Sequence, residues 1–280
     1  MEKINKKIKN GSYIIESIPG DKSISHRSII IGSIAENTSF FSNFLCSEDC
    51  LNTLKIFQEL GIPITIDPHK KSISIEGQGL GGLSAPKSSL DVGNSGTGIR
   101  LITGLLAAQS FSSTLTGDSS IQKRPMKRII TPLEKMGASI KGNLSNSDIT
   151  APLSIHKQPT LTGISYTLPV ASAQVKSAIL LAGLYASSQT HITEPKPSRN
   201  HTEIILQSYG VTVEKKESTL SLTPPKKLFC PSDTLITIPS DFSSAAFFIV
   251  LALIHPNCSL TLTHIGLNKT RMTLLNILKK

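Results

Sequence analysis

The sequence has no tryptophan, few aromatic residues (5%) and only four cysteines. Long apolar runs are missing too, and acids are scarce beside bases. Each shortage excludes something. Stacking platforms for nucleic acid need aromatics interleaved with Lys and Arg, and no such stretch occurs, so no nucleic-acid partner is expected. Cys46 and Cys50 are the only close cysteine pair, with no His or second pair at zinc spacing, while Cys230 and Cys258 stand alone. Reduced thiols in a cytoplasmic protein are the expected state. The longest apolar stretch, Ala245–Ile254, falls well short of the roughly 20 residues that span a bilayer, so it reads as a buried helix and no membrane partner is expected. No apolar segment follows the lysine-rich Met1–Asn10, so a signal peptide is not expected.

With 29 Lys and Arg against 19 Asp and Glu, the formal charge is +10, which points to an acidic partner. The apolar fraction, 39% of 280 residues, suffices for a sizeable core in one large domain or two smaller ones.

What is present is a repeat. Pro19–Gly32, Gly93–Gly104, Pro169–Gly183 and Pro239–Ala252 are each a Gly/Ser/Pro turn followed by an apolar helix. Ser23, Ser95, Ser172 and Ser243 recur at spacings of about 72, 77 and 71 residues. A strand follows each of the first three helices, at Thr38–Phe44, Ser113–Thr116 and Thr190–Thr193. Second helices follow at Glu48–Leu60, Pro125–Met136 and His201–Tyr209, ended by Gly61, Gly137 and Gly210. Further strands close the units at Ser72–Glu76, Leu153–His156 and Thr219–Thr223. The fold class is therefore α/β, built from βαβαββ units whose first strand lies just before each turn. A fourth unit starts at Ile236, and its second helix runs from about Asn268–Arg271 through Leu278. The sequence stops before the glycine that would end this helix, so a C-terminally truncated chain is expected, with a fourth unit short of packing partners.

Helix starts expose unpaired N–H groups and partial positive charge, which favour anions. The candidate starts are Lys22–Ser25, Asn94–Thr97 and Ser172–Gln174. Gly93, Gly96 and Gly98 let a ligand approach the second start closely, and Arg100 lies just inside it. Arg124 is expected at another helix edge, with Pro125 at the first helical position. Lys123, and in part Arg128, read as a solvated basic face. Ser198-Arg199-Asn200-His201 repeats the theme of hydroxyl, arginine and helix start. His26 and His201 read as structural side chains. Gly77–Gly82 has dinucleotide-loop spacing but opens no helix, so that reading is set aside.

Together GDKSISHR from Gly20, GNSGTGIR from Gly93, GDSSIQKRPMKR from Gly117, SAQVK from Ser172 and SRNHTE from Ser198 resemble the 5-enolpyruvylshikimate-3-phosphate synthase family. The resemblance runs from about Tyr13 to the end of the chain. SAQVK, SRNHTE and NKTR from Asn268 resemble the class II subgroup, with Asn200 standing where that subgroup usually has Asp. The resemblance implies two domains, each of three βαβαββ units, around one active site. Residues 20–239 would form one domain, and 1–19 with 240–280 part of the other.

It also implies transfer of the enolpyruvyl group of phosphoenolpyruvate to the 5-hydroxyl of shikimate 3-phosphate, in chorismate and aromatic amino acid synthesis, without cofactor or metal. Lys22 would be the catalytic residue that contacts both substrates. Ser23, Arg27, Ser172, Ala173, Gln174 and Ser198 would hold shikimate 3-phosphate, with Arg199 assisting. Gly96, Arg124 and Gln174 would meet phosphoenolpyruvate, and the family inhibitor glyphosate would bind if phosphoenolpyruvate does. The family's acid–base Asp and Glu come from a later region. Asp21, Asp49, Asp118 and Asp241 do not match them, and Asp49 reads more simply as a first-turn helix residue. Two alternatives therefore stand beside the active enzyme: a non-catalytic substrate-binding remnant, and half of a split enzyme completed by a separately encoded C-terminal half. A related transferase acting on UDP-N-acetylglucosamine usually has a reactive Cys in the Gly117–Arg128 loop, and none is there.

Overall fold

The computed structural model describes residues 10–231, 235–255 and 257–279. After an initial strand, β1 (Gly11–Ile15), the first unit comprises α1 (Lys22–Ser33), β2 (Thr38–Ser42), α2 (Glu48–Glu59), β3 (Ile64–Asp67) and β4 (Ser72–Glu76). The second has β5 (Leu90–Asp91), α3 (Gly96–Leu106), β6 (Ser113–Thr116), α4 (Lys127–Lys135), β7 (Ser139–Ser145) and β8 (Asp148–His156). The third has β9 (Ser165–Thr167), α5 (Ala173–Gly183), β10 (Thr190–Thr193), α6 (His201–Ser208), β11 (Val213–Lys216) and β12 (Thr219–Leu222). The chain continues through β13 (Ile236–Thr237), α7 (Phe242–Ile254), β14 (Cys258–Leu262) and α8 (Thr273–Leu278).

The second and third units each build one four-stranded sheet, ordered β5-β6-β8-β7 and β9-β10-β12-β11. In both, the strand before the turn pairs in parallel with the strand after the helix. The first sheet has the same pattern, but its first position is filled by β13, which pairs in parallel with β2 at Ile236↔Phe41. The expected position of the first strand therefore holds in units two and three but not in unit one. There the strand before the turn is β1, and it pairs with β14, from Gly11↔Cys258 to Ile15↔Leu262. The chain thus exchanges two strands. Burial agrees with the exchange, since Ile238 beside β13 is buried while Tyr13 and Ile14 of β1 are exposed.

The two crossings lock each other. The Asp21 N–H donates to the Pro239 carbonyl at 2.8 Å, and the Asp241 N–H donates to the Pro19 carbonyl at 2.8 Å. Each aspartate then caps the helix that follows it, α1 or α7. Arg271 spans both caps, at 2.5 Å from Asp21 Oδ2 and 3.2 Å from Asp241 Oδ1. Burial, then the nearby Asp241, raises the Asp21 pKa, and Arg271 opposes that.

Helices α3 and α5 are apolar nearly all round, and a helix of that kind must be buried; α1 is buried with them, its polar residues His26 and Arg27 paired inside. They form the centre. Helices α2 and α4 are one-sided: α4 buries Ile129, Ile130 and Leu133 and exposes Lys127, Arg128 and Lys135. Helices α3 and α5 pack closely: a Cβ on Gly104 would lie 2.3 Å from the Ala178 carbonyl oxygen. At the end of α6, the buried Tyr209 hydroxyl donates to Ser39 Oγ at 3.0 Å, joining the third unit to the first. The expected buried helix at 245–254 is a helix, but of α7 only Phe242 and Ala245 are buried. Phe247 is 79% exposed and Ile254 73%, and α8 buries nothing. Hydropathy records a need for apolar neighbours, and the described residues do not meet it here. No helix among them is long and apolar enough to cross a membrane.

Two histidines sit inside. His26 Nδ1 lies 2.9 Å from Thr53 Oγ1 of α2, and Nε2 lies 3.4 Å from Ser95 Oγ, the cap of α3. Burial first, then Arg27, pushes the pKa values of both His26 and His201 down to about 3.

This packing is open to two measurements. Gly104→Ala pushes α3 from α5 and costs about 1–3 kcal/mol in urea unfolding; Gly81→Ala, with open space around it, is the matched control, and equal stabilities would contradict the packing. The second concerns pH. Both histidine pKa values are depressed on folding, so unfolding takes up protons between about pH 6.5 and pH 3, and stability falls as pH falls. The slope is about 1.4 kcal/mol per pH unit for each histidine. Unfolding measured at pH 7 and pH 5 shows a smaller loss in His26→Asn than in the native chain; identical losses would refute the assignment.

Candidate active site

The three central helices start side by side, and their caps differ. Ser95 accepts from the Gly98 N–H at 2.9 Å and Ser172 from the Val175 N–H at 3.4 Å. Among the described residues, the first-turn N–H groups of Gly96, Thr97, Ala173 and Gln174 have no protein partner. The start of α1 is already supplied with acid. Asp21 accepts from the Ile24 N–H at 3.0 Å, and the Lys22 N–H donates to Asp241 at 3.3 Å. At α1, therefore, side chains rather than backbone groups are left to meet an anion, which sequence reasoning did not anticipate.

Side-chain bonds tie the starts together. Gln174 Nε2 donates to Thr97 Oγ1 at 3.2 Å, linking α5 to α3. His26 links α1 to the α3 cap. Arg27 links α1 to the third unit: Nε donates to Thr202 Oγ1 at 2.6 Å and Nη2 to Ser177 Oγ at 2.8 Å. Its Nη1 donates to the Ser23 carbonyl at 2.8 Å, leaving two of its five N–H donors. Burial lowers the Arg27 pKa to about 10, with Glu203 opposing, so it stays charged at neutral pH.

The second unit concentrates positive charge. Arg124 Nη2 donates to Asn94 Oδ1 at 2.7 Å and to Ser120 Oγ at 3.3 Å. A Cβ on Gly96 would lie 2.4 Å from Arg124 Nη1 and 3.0 Å from Arg100 Nη1, so a side chain there would displace the guanidinium groups. Arg100 is buried; its Nη1 donates to the Gly96 carbonyl at 2.8 Å, and its Nε has no partner among the described residues. Burial, then Arg128 and Arg124, lowers its pKa to about 10. Among the described residues no carboxylate pairs with any of these three arginines. A cluster of arginines with no ion-paired carboxylate, beside unpaired N–H groups, is suited to phosphate or carboxylate.

One local expectation needs correcting. Pro125 is not the first residue of its helix; α4 begins at Lys127. The Asp148 carboxylate accepts from the N–H groups of Met126 (3.2 Å) and Lys127 (3.0 Å), so that helix start is already capped. Arg124 instead lies in extended backbone after a short 3-10 turn at Ile121–Lys123, which turns it toward Asn94 and Gly96.

The remaining candidates divide. Lys22 and Ser23 lie at the α1 start, partly exposed, and Lys22 pairs with Asp49. Asp49 is a first-turn residue of α2, as expected, but its pairing with Lys22 was missed; the two are 27 positions apart, and no periodicity links them. Ser172, Ala173 and Gln174 open α5, with Ala173 offering its backbone. Ser198 lies in the loop before α6 and donates to Glu194, part of a buried ion group described below. Arg199 is exposed, and Asn200 accepts from Asn268 Nδ2 at 2.8 Å, so an amide oxygen does the accepting where the subgroup usually has a carboxylate. The other acids singled out are committed: Asp21 and Asp241 to Arg271, and Asp118 to the N–H groups of Ser120 and Ile121 and to Asn94.

A family model described as EPSP synthase (3-phosphoshikimate 1-carboxyvinyltransferase) matches residues 7–280. The chain is 48% identical over 262 residues to the 3-phosphoshikimate 1-carboxyvinyltransferase of Coxiella burnetii (strain RSA 493 / Nine Mile phase I), covering 94% of this chain and 58% of that protein. It is 50% identical over 264 residues to the protein of the same name from Bacillus cytotoxicus, covering 94% of this chain and 60% of the relative. A solved EPSP synthase from Acinetobacter baumannii superposes with a TM-score of 0.88 at 47% identity, over 96% of this chain and 59% of that one. The chain thus spans about 58–60% of the length of these relatives. A match over nearly the whole of this chain, to proteins that share its fold at close to half identity, makes it a member of the EPSP synthase family.

Proposed function

We propose that this site binds shikimate 3-phosphate and phosphoenolpyruvate and serves the transfer of the enolpyruvyl group to the 5-hydroxyl of shikimate 3-phosphate, releasing phosphate. The observation that carries the reading is the convergence of unpaired N–H groups and arginines with no ion-paired carboxylate at the joined starts of α3 and α5, with Lys22 and Arg27 at α1. Gly96, Arg124 and Gln174 hold the phosphoenolpyruvate end. Ser23, Arg27, Ser172, Ala173, Gln174 and Ser198 hold shikimate 3-phosphate, and Lys22 reaches both. Before a ligand arrives, Asp49 holds Lys22 in place and neutralises it. A substrate phosphate or carboxylate takes that partner's role when it binds.

The reaction needs a proton delivered to the enol carbon and one removed from the attacking hydroxyl. The acids that sequence reading singled out in this chain are capping or ion-paired, so these residues bind, orient and neutralise rather than supply the acid–base pair. In this reading residues 20–239 act as one substrate-binding domain, and residues 1–19 with 240–280 belong to a second. The exposed face of α7 is then a docking face for more of the family's length, in the same polypeptide or a separate one. Glyphosate shares the phosphoenolpyruvate end.

Two measurements test this. In calorimetric titration Lys22→Ala weakens shikimate 3-phosphate binding about tenfold, the scale of one charge-assisted hydrogen bond. Unchanged affinity in a folded Lys22→Ala chain removes the site assignment. Arg124→Ala weakens phosphoenolpyruvate binding by a similar factor and leaves shikimate 3-phosphate within about twofold; equal losses for both ligands would contradict the division of the site.

A further inference from the structure

Beneath Ser198 lies a buried ion group of Lys176, Glu194 and Glu203, none of them among the substrate contacts above. Lys176 is 1% exposed; its Nζ is 2.9 Å from Glu194 Oε2 and 2.6 Å from Glu203 Oε1. Glu194 and Glu203 are 4% and 5% exposed. The second oxygen of Glu194 accepts the Ser198 hydroxyl proton. Buried Arg27 lies near the group without an ion pair to it, bonded to Thr202 and Ser177, and Glu203 is the charge that most favours its protonated form.

This creates a conflict at Ser198. A serine hydroxyl has one proton to donate. A substrate phosphate presents only acceptors, so Ser198 can serve it only by giving up Glu194. We propose that Glu194 is a positioning residue that sets the affinity of the phosphate subsite by competing with the ligand for the Ser198 proton. This rests on the reading of Ser198 as a shikimate 3-phosphate contact. Two effects act with the same sign. Glu194 holds the donor away from the phosphate, and its charge offsets that of Lys176. Lys176 keeps Glu203 when Ser198 turns to the ligand, so the exchange leaves no buried cation unpaired.

The substitution Glu194→Gln tests the idea, because loss of a merely structural residue does not improve binding. The amide can donate to Ser198 Oγ and free its proton, and the Lys176–Glu203 pair remains. Calorimetry with shikimate 3-phosphate is expected to show binding about 3- to 10-fold tighter in E194Q than in the native chain. Shikimate, which lacks the phosphate, binds both equally. In the Ser198→Ala background the gain from E194Q shrinks by at least half, which a double-mutant cycle reads directly. Equal or weaker shikimate 3-phosphate binding in E194Q, or an undiminished gain in the Ser198→Ala background, overturns the proposal. Glu194→Asp, which draws the carboxylate back from Ser198, gives the same test if E194Q does not fold. A native chain that binds shikimate 3-phosphate beside variants that bind it no tighter removes this inference alone. A native chain that does not bind it removes the functional reading as well.

Discussion

Arg27 has almost no freedom, and the site depends on that. Its guanidinium is buried between α1, Ser177 of α5 and Thr202 of α6, with three of its nitrogens bonded. A buried cation left without partners costs several kcal/mol, so the first and third units cannot drift apart without incurring that desolvation cost. The same arrangement holds α1 beside α5. Gln174 and Thr97 hold α5 beside α3, where Gly104 lets the two backbones approach closely. Three helix starts from distant parts of the chain are thus fixed at one end of the core. Fixed donors are what an anion site needs, because no reorganisation is then required when the ligand binds.

Charge completes the picture. The acids near the site are distributed so that α1 is neutralised and α3 is not. Asp21, Asp49 and Asp241 answer the α1 start, Lys22 and Arg271. Arg100 and Arg124 meet at Gly96 with no acid between them. Arg100 and Arg124 therefore carry charge without an ion-paired carboxylate, whereas Lys22 pairs with Asp49. Glu194 extends the same principle to Ser198, where an internal acceptor holds a proton that a ligand would use.

Much of this was legible in the sequence, for local reasons. A turn, a hydroxyl and an apolar helix make a pattern within about fifteen residues, and its repetition revealed the units. Gly61, Gly137 and Gly210 marked the ends of α2, α4 and α6 because each has a positive φ there. Gly96 and Arg124 were singled out in separate motifs, and the structure brings them into contact. What stayed hidden depends on distant partners. The exchange of β1 and β13 is decided by pairing across some two hundred positions, and a strand's own residues do not say which sheet it joins. Asp148 caps α4 from the far side of a hairpin, so Pro125 alone suggested the wrong start. The Lys22–Asp49 pair and the Glu194–Lys176–Glu203 group likewise carry no spacing signal. The apolar run of α7 was read correctly as a helix, but burial needs a neighbour that its own sequence cannot supply.

Everything proposed for this chain rests on the starts of α1, α3 and α5 acting together as one preorganised anion site. A crystal structure of the chain grown with shikimate 3-phosphate tests it most directly. The ligand is expected within hydrogen-bond distance of Lys22 Nζ, the Ala173 N–H and Gln174 Nε2, with Arg27 unmoved. A ligand seated instead in the apolar cleft bordered by Ile204, Tyr209 and Ile236, or absent at saturating concentration, would contradict it.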